Sequence, residues 1–255
     1  MDLVKYSQDG GVATITLNRP PVNALNPALI ADIDAAIGLA EDRRVRAVVI
    51  TGSPHFAAGA DIGGFQKSFE AGDTDRQASG LTEAVARLAN LEKPTIAAVS
   101  GFALGGGLEL AMGADFRYLA EGAKVGQPEV LLGIIPGAGG TQRLARLVGP
   151  QRCIDLCMTG RHVKADEALR IGIADKVFPD DDLLAAALAE AEAFAQGPTQ
   201  AYAAIKRAVS RGFDRSLEEG LAIEAEQFAT VFGTADARIG VSAFLAKERP
   251  EFTGA

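Results

Sequence analysis

The 255-residue chain has no tryptophan, two histidines and two cysteines, and each scarcity closes off a class of chemistry. Metal centres and disulfide frameworks are built from clusters of histidine and cysteine. Cys153 and Cys157 stand four apart in a helical pattern, but His162, the nearest histidine, brings no further ligand. The pair reads as reduced core thiols, and no metal site is expected. Neither His55 nor His162 sits beside a serine or cysteine that it could activate, and no G-x-S-x-G segment occurs, which leaves a histidine-dependent nucleophile without support. Both histidines read as loop or surface residues. Aromatic residues make up 6% of the chain and its net charge is −8. With neither a base-stacking platform nor a lysine/arginine stripe, no nucleic-acid or anionic-membrane partner is expected. No stretch reaches the roughly 18 uninterrupted apolar residues of a membrane span. The N-terminal MDLVKYSQDGGVATITL lacks the basic region of a signal peptide, so the expected setting is cytoplasmic.

What the chain does have is apolar bulk, 48% hydrophobic residues, and 29 glycines. That suffices for a full core and suits close packing of helices on sheets. Leu3–Tyr6 and Val12–Leu17 alternate around Asp9-Gly10-Gly11 and predict a hairpin. Asn26 followed by Pro27 predicts a capped helix running to about Ala40. Buried-looking strands are predicted at Val45–Thr51 and Thr95–Ser100, with short ones at Phe116–Leu119 and near Lys124–Gly126. A helical pattern covers about Asp75–Leu91. Strands alternating with helices at roughly this spacing argue βαβ units and a mainly parallel sheet. From Thr141 to about Leu245 helical periodicity dominates, broken by Gly149-Pro150, the IADKVF stretch, Gly197-Pro198 and Gly212. The expected class is α/β, with a helical C-terminal third.

Three segments carry the chemistry. In GFALGGGLELAMGAD, Gly101–Asp115, a strand runs into a glycine cluster that opens a helix from about Leu108. The spacing is not G-x-G-x-x-G, and no G-x-x-x-x-G-K-[ST] loop exists in the chain, so nucleotide binding is set aside. Tight helix–strand packing is one reading of these glycines. The other is a helix start whose Gly106 N–H serves as half of an oxyanion hole. In HFAAGADI, His55–Ile62, small residues let a ligand approach the backbone, and Ala60 N–H is the candidate second donor. Ala/Gly loops are common, and Asp61 reads better as the N-cap of the next short helix than as a catalytic acid. Glu109 lies among Leu, Ala and Met in an apolar first turn, and Glu129 heads the apolar run of GQPEVLLGIIPGAGGTQRL, Gly126–Leu144. Each is explicable as an acid compensating a helix dipole. Together, beside amide donors, they suggest carboxylates that work for their burial.

On these three segments, in this order, the chain resembles the crotonase superfamily, specifically enoyl-CoA hydratase, and the likeness extends from the first hairpin to GVSAFLAKERPEF. The resemblance implies a crotonase-like spiral of ββα units over residues 1–195, holding the coenzyme A and catalytic sites. It also implies a C-terminal helical region, 196–255, that assembles a homotrimer or homohexamer. The substrate class it implies is an acyl-CoA thioester, with coenzyme A as part of the substrate and no separate cofactor. Ala60 and Gly106 match the family's oxyanion amides, Glu109 and Glu129 its glutamate pair, and Gly137 the glycine whose N–H helps to hold the water. Val22, Ala24, Ala58, Asp61 and Ile62 match contacts to the coenzyme A handle. Phe244 and Lys247 resemble residues that reach the nucleotide, commonly from a neighbouring subunit, although a solvated terminal lysine explains Lys247 equally well. The insert Lys67–Gly80 and the wall around Phe65, Phe69 and Leu132 match no particular acyl group.

The expected reaction is addition of water across the 2,3 double bond of a 2-enoyl-CoA. The alternatives are 3,2-enoyl-CoA isomerase, or another acyl-CoA lyase such as a 3-hydroxyacyl-CoA dehydratase. A non-catalytic RNA-associated homologue is the rival from another class, and the charge balance counts against it.

Overall fold

The computed structural model describes residues 1–64 and 79–255. Strands β1 (Val4–Asp9) and β2 (Val12–Leu17) pair antiparallel around Gly10, whose φ of +52° suits a residue without a Cβ. Helix α1 (Pro27–Leu39) starts as its sequence predicts: the Leu29 N–H donates to the Asn26 side chain at 2.8 Å, with Pro27 in the first turn. Leu29, Ile33, Ala36 and Ile37 form its buried stripe. Asn26→Ala should cost about 1 kcal/mol, read as a lower urea midpoint at unchanged slope.

Strands β3 (Ala47–Gly52), β4 (Thr95–Val99) and β6 (Phe116–Ala120) are almost wholly buried and pair parallel in the middle of a six-stranded sheet of order β1-β2-β3-β4-β6-β9, with β9 at Lys176–Phe178. Burial on both faces is why β3 and β4 read as continuous apolar runs rather than alternating ones, whereas β6 carries Arg117, buried and paired with Asp175. A second sheet joins β5 (Phe102–Leu104), β7 (Lys124–Gly126) and β8 (Val163–Lys164). The chain spirals between the two sheets. After β3, Ala57 bridges Ala103 in the second sheet, and helix α2 (Ser79–Ala89) lies further on. After β4 come β5 and α3 (Gly106–Ala111); after β6 come β7 and a 3₁₀ turn at Glu129–Leu132. Each unit is strand, strand, helix, which is the ββα repeat.

Helices α4 (Gly140–Val148), α5 (Pro150–Thr159), α6 (Ala165–Ile171) and α7 (Leu183–Ala195) follow, and α7 lays Ala187, Ala191 and Ala195 against the large sheet. Then come α8 (Thr199–Gly212), α9 (Leu217–Phe232) and α10 (Ala235–Ala246). This helical third exposes Ile205, Val209, Phe213, Leu217, Phe228, Phe232 and Phe244, each at least 60% accessible. No helix among the described residues is long and apolar enough to cross a membrane.

Several sequence expectations need adjustment. β3 starts at Ala47 rather than Val45, because the Arg46 and Ala47 N–H groups both donate to the Gly11 carbonyl. The helix expected from Leu108 begins at Gly106: Gly105, at φ +52°, turns the chain two residues earlier. His55 is not a free loop residue. Its Nδ1 accepts from the Phe102 N–H at 3.2 Å and its ring stacks on Phe102 at 4.6 Å. Positions 75–78 of the expected Asp75–Leu91 helix, Phe65, Phe69 and all of the Lys67–Gly80 insert before Ser79 lie outside the described residues.

Candidate active site

The turn at 19–25 is tied to the 55–61 segment, and this frees one amide. Asn23, buried and at φ +52°, donates from Nδ2 to the His55 carbonyl at 2.8 Å and accepts from the Arg19 N–H at 2.7 Å. The Ala58 N–H donates to the Val22 carbonyl at 3.0 Å. Leu25 then bridges Ala60: its N–H donates to Gly59, and its carbonyl accepts from Asp61. In such a parallel bridge the flanking residues supply the ladder, and the middle residue turns its N–H the other way. Ala60 N–H has no acceptor among the described residues and borders a cavity of about 440 Å³.

Gly106 lies on the same cavity. As the first residue of α3 its N–H has no intrahelical partner, and none among the described residues takes it. The next glycine shows why the cluster is small: a Cβ on Gly107 would run into the Ala57 carbonyl, the backbone against which α3 sits.

Glu109, in the first turn of α3, is 2% exposed, and its Oε1 accepts from the Ala138 and Gly140 N–H groups, both at 2.7 Å. Burial raises its pKa, opposed by these two amides and by the positive charge of Arg143. Glu129 enters from the 3₁₀ turn. Its Oε1 would lie 2.7 Å from a Cβ on Gly105, so glycine there makes room for the carboxyl. Burial, with a smaller contribution from the Glu109 charge, pushes the Glu129 pKa up to about 7. The Gln127 side chain, fully buried, places its amide nitrogen 3.1 Å from both Glu129 oxygens in the orientation that satisfies both groups. One acid is thus held by two amides while the other is tuned near neutrality. Such a pair can exchange a proton beside amides able to stabilise an oxygen that gains charge.

The structure gathers Ala58, Ala60, Ile62, Gly106, Glu109, Glu129, Leu132 and Gly137 around one cavity, whose remaining wall is largely aliphatic. Val22 and Ala24 stand behind it, their carbonyls accepting from Ala58 N–H and the Arg19 guanidinium. The Asp61 carboxylate pairs with Arg19 at 2.6 Å, while its carbonyl accepts from Gly64 N–H at the start of the short helical turn. Phe244, 82% exposed, and Lys247, at φ +58° closing α10, do not border this cavity within one chain. Cys153 is buried with its Sγ 4.0 Å from that of Cys157, whose thiol burial pushes up to about 12. No cluster of three metal-binding side chains occurs among the described residues. Sequence reasoning missed the Ala138 and Gly140 amides, Gln127, Asn23 and Arg143. A glycine-rich PGAGG beside a buried acid was the available signal, but nothing in it points to Glu109, nearly thirty residues upstream.

Residues 7–255 match the family model described as enoyl-CoA hydratase/isomerase. A protein of Rhizobium meliloti named probable enoyl-CoA hydratase is 47% identical over 247 residues, covering 95% of each chain. The crotonyl-CoA hydratase of Syntrophomonas wolfei is 43% identical, covering 94% of each. Among solved structures, the enoyl-CoA hydratase of Bacillus anthracis superposes with a TM-score of 0.91 at 35% identity, over 99% of this chain and 100% of that one.

Proposed function

This chain belongs to the enoyl-CoA hydratase/isomerase family, and from that premise we propose that it hydrates 2-enoyl-CoA thioesters through the amide pair and the glutamate pair of the cavity. Its activity is that of an enoyl-CoA hydratase, giving a 3-hydroxyacyl-CoA. Water attacks C3, and negative charge moves to the thioester oxygen. Ala60 and Gly106 N–H receive that oxygen, and each donor of this kind is typically worth roughly 10²–10³-fold in rate. Glu109, with two amides on Oε1, is the carboxylate that orients and deprotonates the water, aided by Gly137 N–H. Glu129, raised to about 7, holds the shared proton and delivers it to C2. Coenzyme A is the handle of the substrate, and its remote binding positions the reacting carbons. Val22, Ala24, Ala58, Asp61 and Ile62 form its approach.

What carries the reading is that two unpartnered amides, the buried Glu109 and the half-buried Glu129, drawn from three segments, border one cavity. The apolar faces of α8–α10 support assembly as a homotrimer or homohexamer through residues 196–255, bringing a neighbour's Phe244 and Lys247 toward the nucleotide. A cytoplasmic setting belongs to the same proposal.

The test is the loss of enone absorbance from crotonyl-CoA, with 3-enoyl-CoA as a parallel substrate. Hydration of the 2-enoyl thioester is expected. Conversion of the 3-enoyl thioester alone would replace the hydratase by an isomerase. The pH profile follows from the assigned roles. Glu129 must be protonated, so kcat/KM should fall as pH rises through about 7. Glu109 must be ionised, so it should fall again on the acid side. Stopped-flow hydration at pH 5–9 reads both limbs.

A further inference from the structure

The two acids share one cavity, yet they must differ in charge at rest; the Ala138 and Gly140 amides on Glu109 break the symmetry, and a cation adds to them. Helix α4 carries a cation that sequence motifs did not single out. The Arg143 side chain folds back over Gly139: its Nε lies 3.3 Å, and its Cδ 3.5 Å, from where a Gly139 Cβ would stand. Gly139, at φ +106°, is therefore the gap through which the guanidinium reaches the 138–140 segment. The N–H groups on either side of that glycine hold Glu109 Oε1 at 2.7 Å. The side chain is half-buried and makes no hydrogen bond or ion pair among the described residues, unlike Arg146 one turn on, which pairs with Asp214. A partly desolvated cation without a carboxylate of its own exerts its field on the nearest anion.

We propose that Arg143 is a positioning residue for the hydration: packed against Gly139, its guanidinium adds to the Ala138 and Gly140 amides in holding the negative charge on Glu109, which favours Glu109 over Glu129 as the base. The inference rests on the hydratase reading. Among the described residues the titratable and charged groups facing Glu109 are few. Glu129 comes from the 3₁₀ turn, Arg143 from α4, and the Cys157 thiol, protonated and uncharged, from α5. Arg146 acts on Arg143 rather than on the acid. Among the described residues Arg143 is thus the one positive charge in this group, and it acts together with the two amides in lowering the Glu109 pKa against burial. Among the described residues no such cation acts on Glu129.

The experiment compares wild type, Arg143→Met and Arg143→Lys. In the methionine variant the acid limb of kcat/KM for crotonyl-CoA should move to higher pH. Its rate at pH 5.5, relative to its own plateau, should drop by roughly 3-fold, with KM little changed. Arg143→Lys, which keeps the charge, should restore the limb. An acid limb unmoved in Arg143→Met, with a wild-type unfolding midpoint, overturns the proposal; so does a lysine variant that behaves like methionine. Titration of the Glu109 carboxyl by ¹³C NMR in the unliganded proteins separates this inference from its premise. If wild type does not hydrate, the hydratase reading fails. Whether the Glu109 titration moves between wild type and Arg143→Met still decides the role of Arg143.

Discussion

Replacing Glu129 by glutamine is expected to lower kcat for 2-enoyl-CoA hydration by about 10²–10⁴-fold while leaving thioester affinity within a few-fold. The amide has the shape of the acid and sits beside Gly105, where the absent Cβ leaves room for Oε1. It cannot deliver a proton to C2. Substrate binding uses coenzyme A contacts elsewhere, so the loss belongs to the transition state and should appear in kcat rather than KM. The basic limb of the pH profile should vanish with it, because the group that titrates at about 7 is gone. Glu109→Gln should cost as much, and the double variant little more, since the two acids act as one proton-handling unit. Stopped-flow hydration and isothermal titration with a saturated acyl-CoA read the two quantities apart. Normal turnover of Glu129→Gln would remove the proton donor from this account.

How much of this was legible in the chain divides along the range of the interactions. Local signals were reliable: Asn26-Pro27 fixes the start of α1, and the Gly10 turn fixes the first hairpin. The apolar runs of β3 and β4 gave buried strands, and order along the chain gave the α/β class. Glu109, Glu129, Ala60 and Gly106 could be singled out as candidates because an acid in an apolar run or a bare small-residue turn is anomalous in its own neighbourhood. The partners of those residues were not legible. That Ala138 and Gly140 N–H hold Glu109 depends on a contact across about thirty residues, which no local pattern encodes. His55, read as a loop or surface residue, does lie in a loop; its stacking and hydrogen-bonding contact to Phe102, made only once β5 is in place, was not legible. The α3 boundary was missed by two residues because glycines are poor helix formers by propensity, whereas here close packing on Ala57 demands them.

Gly106→Pro tests the amide half of the site. Gly106 is the first residue of α3, a position where proline is tolerated because its N–H has no helical partner to lose. The preceding Gly105, at φ +52° and ψ −124°, has the mirror image of the extended backbone that normally precedes proline, so the chain can accept the ring. What the substitution removes is the donor aimed at the cavity. It also adds a Cβ 2.8 Å from Leu81 Cδ2 and 3.1 Å from Leu25 Cδ1, the flexible ends of two side chains that must give way. Gly106→Ala adds the same Cβ and keeps the N–H, so the pair of variants separates the crowding of the Cβ from the replacement of the N–H hydrogen by the ring's Cδ. Relative to Gly106→Ala, the proline variant should lose a further 10²–10³-fold or so in kcat, with both proteins folded by circular dichroism. Equal rates in the two would mean that the thioester oxygen is stabilised elsewhere. A large deficit confined to proline would show that the thioester must reach the Gly106 nitrogen, as stabilisation of the developing charge at the N-terminus of α3, where the helix dipole adds to the amide, requires.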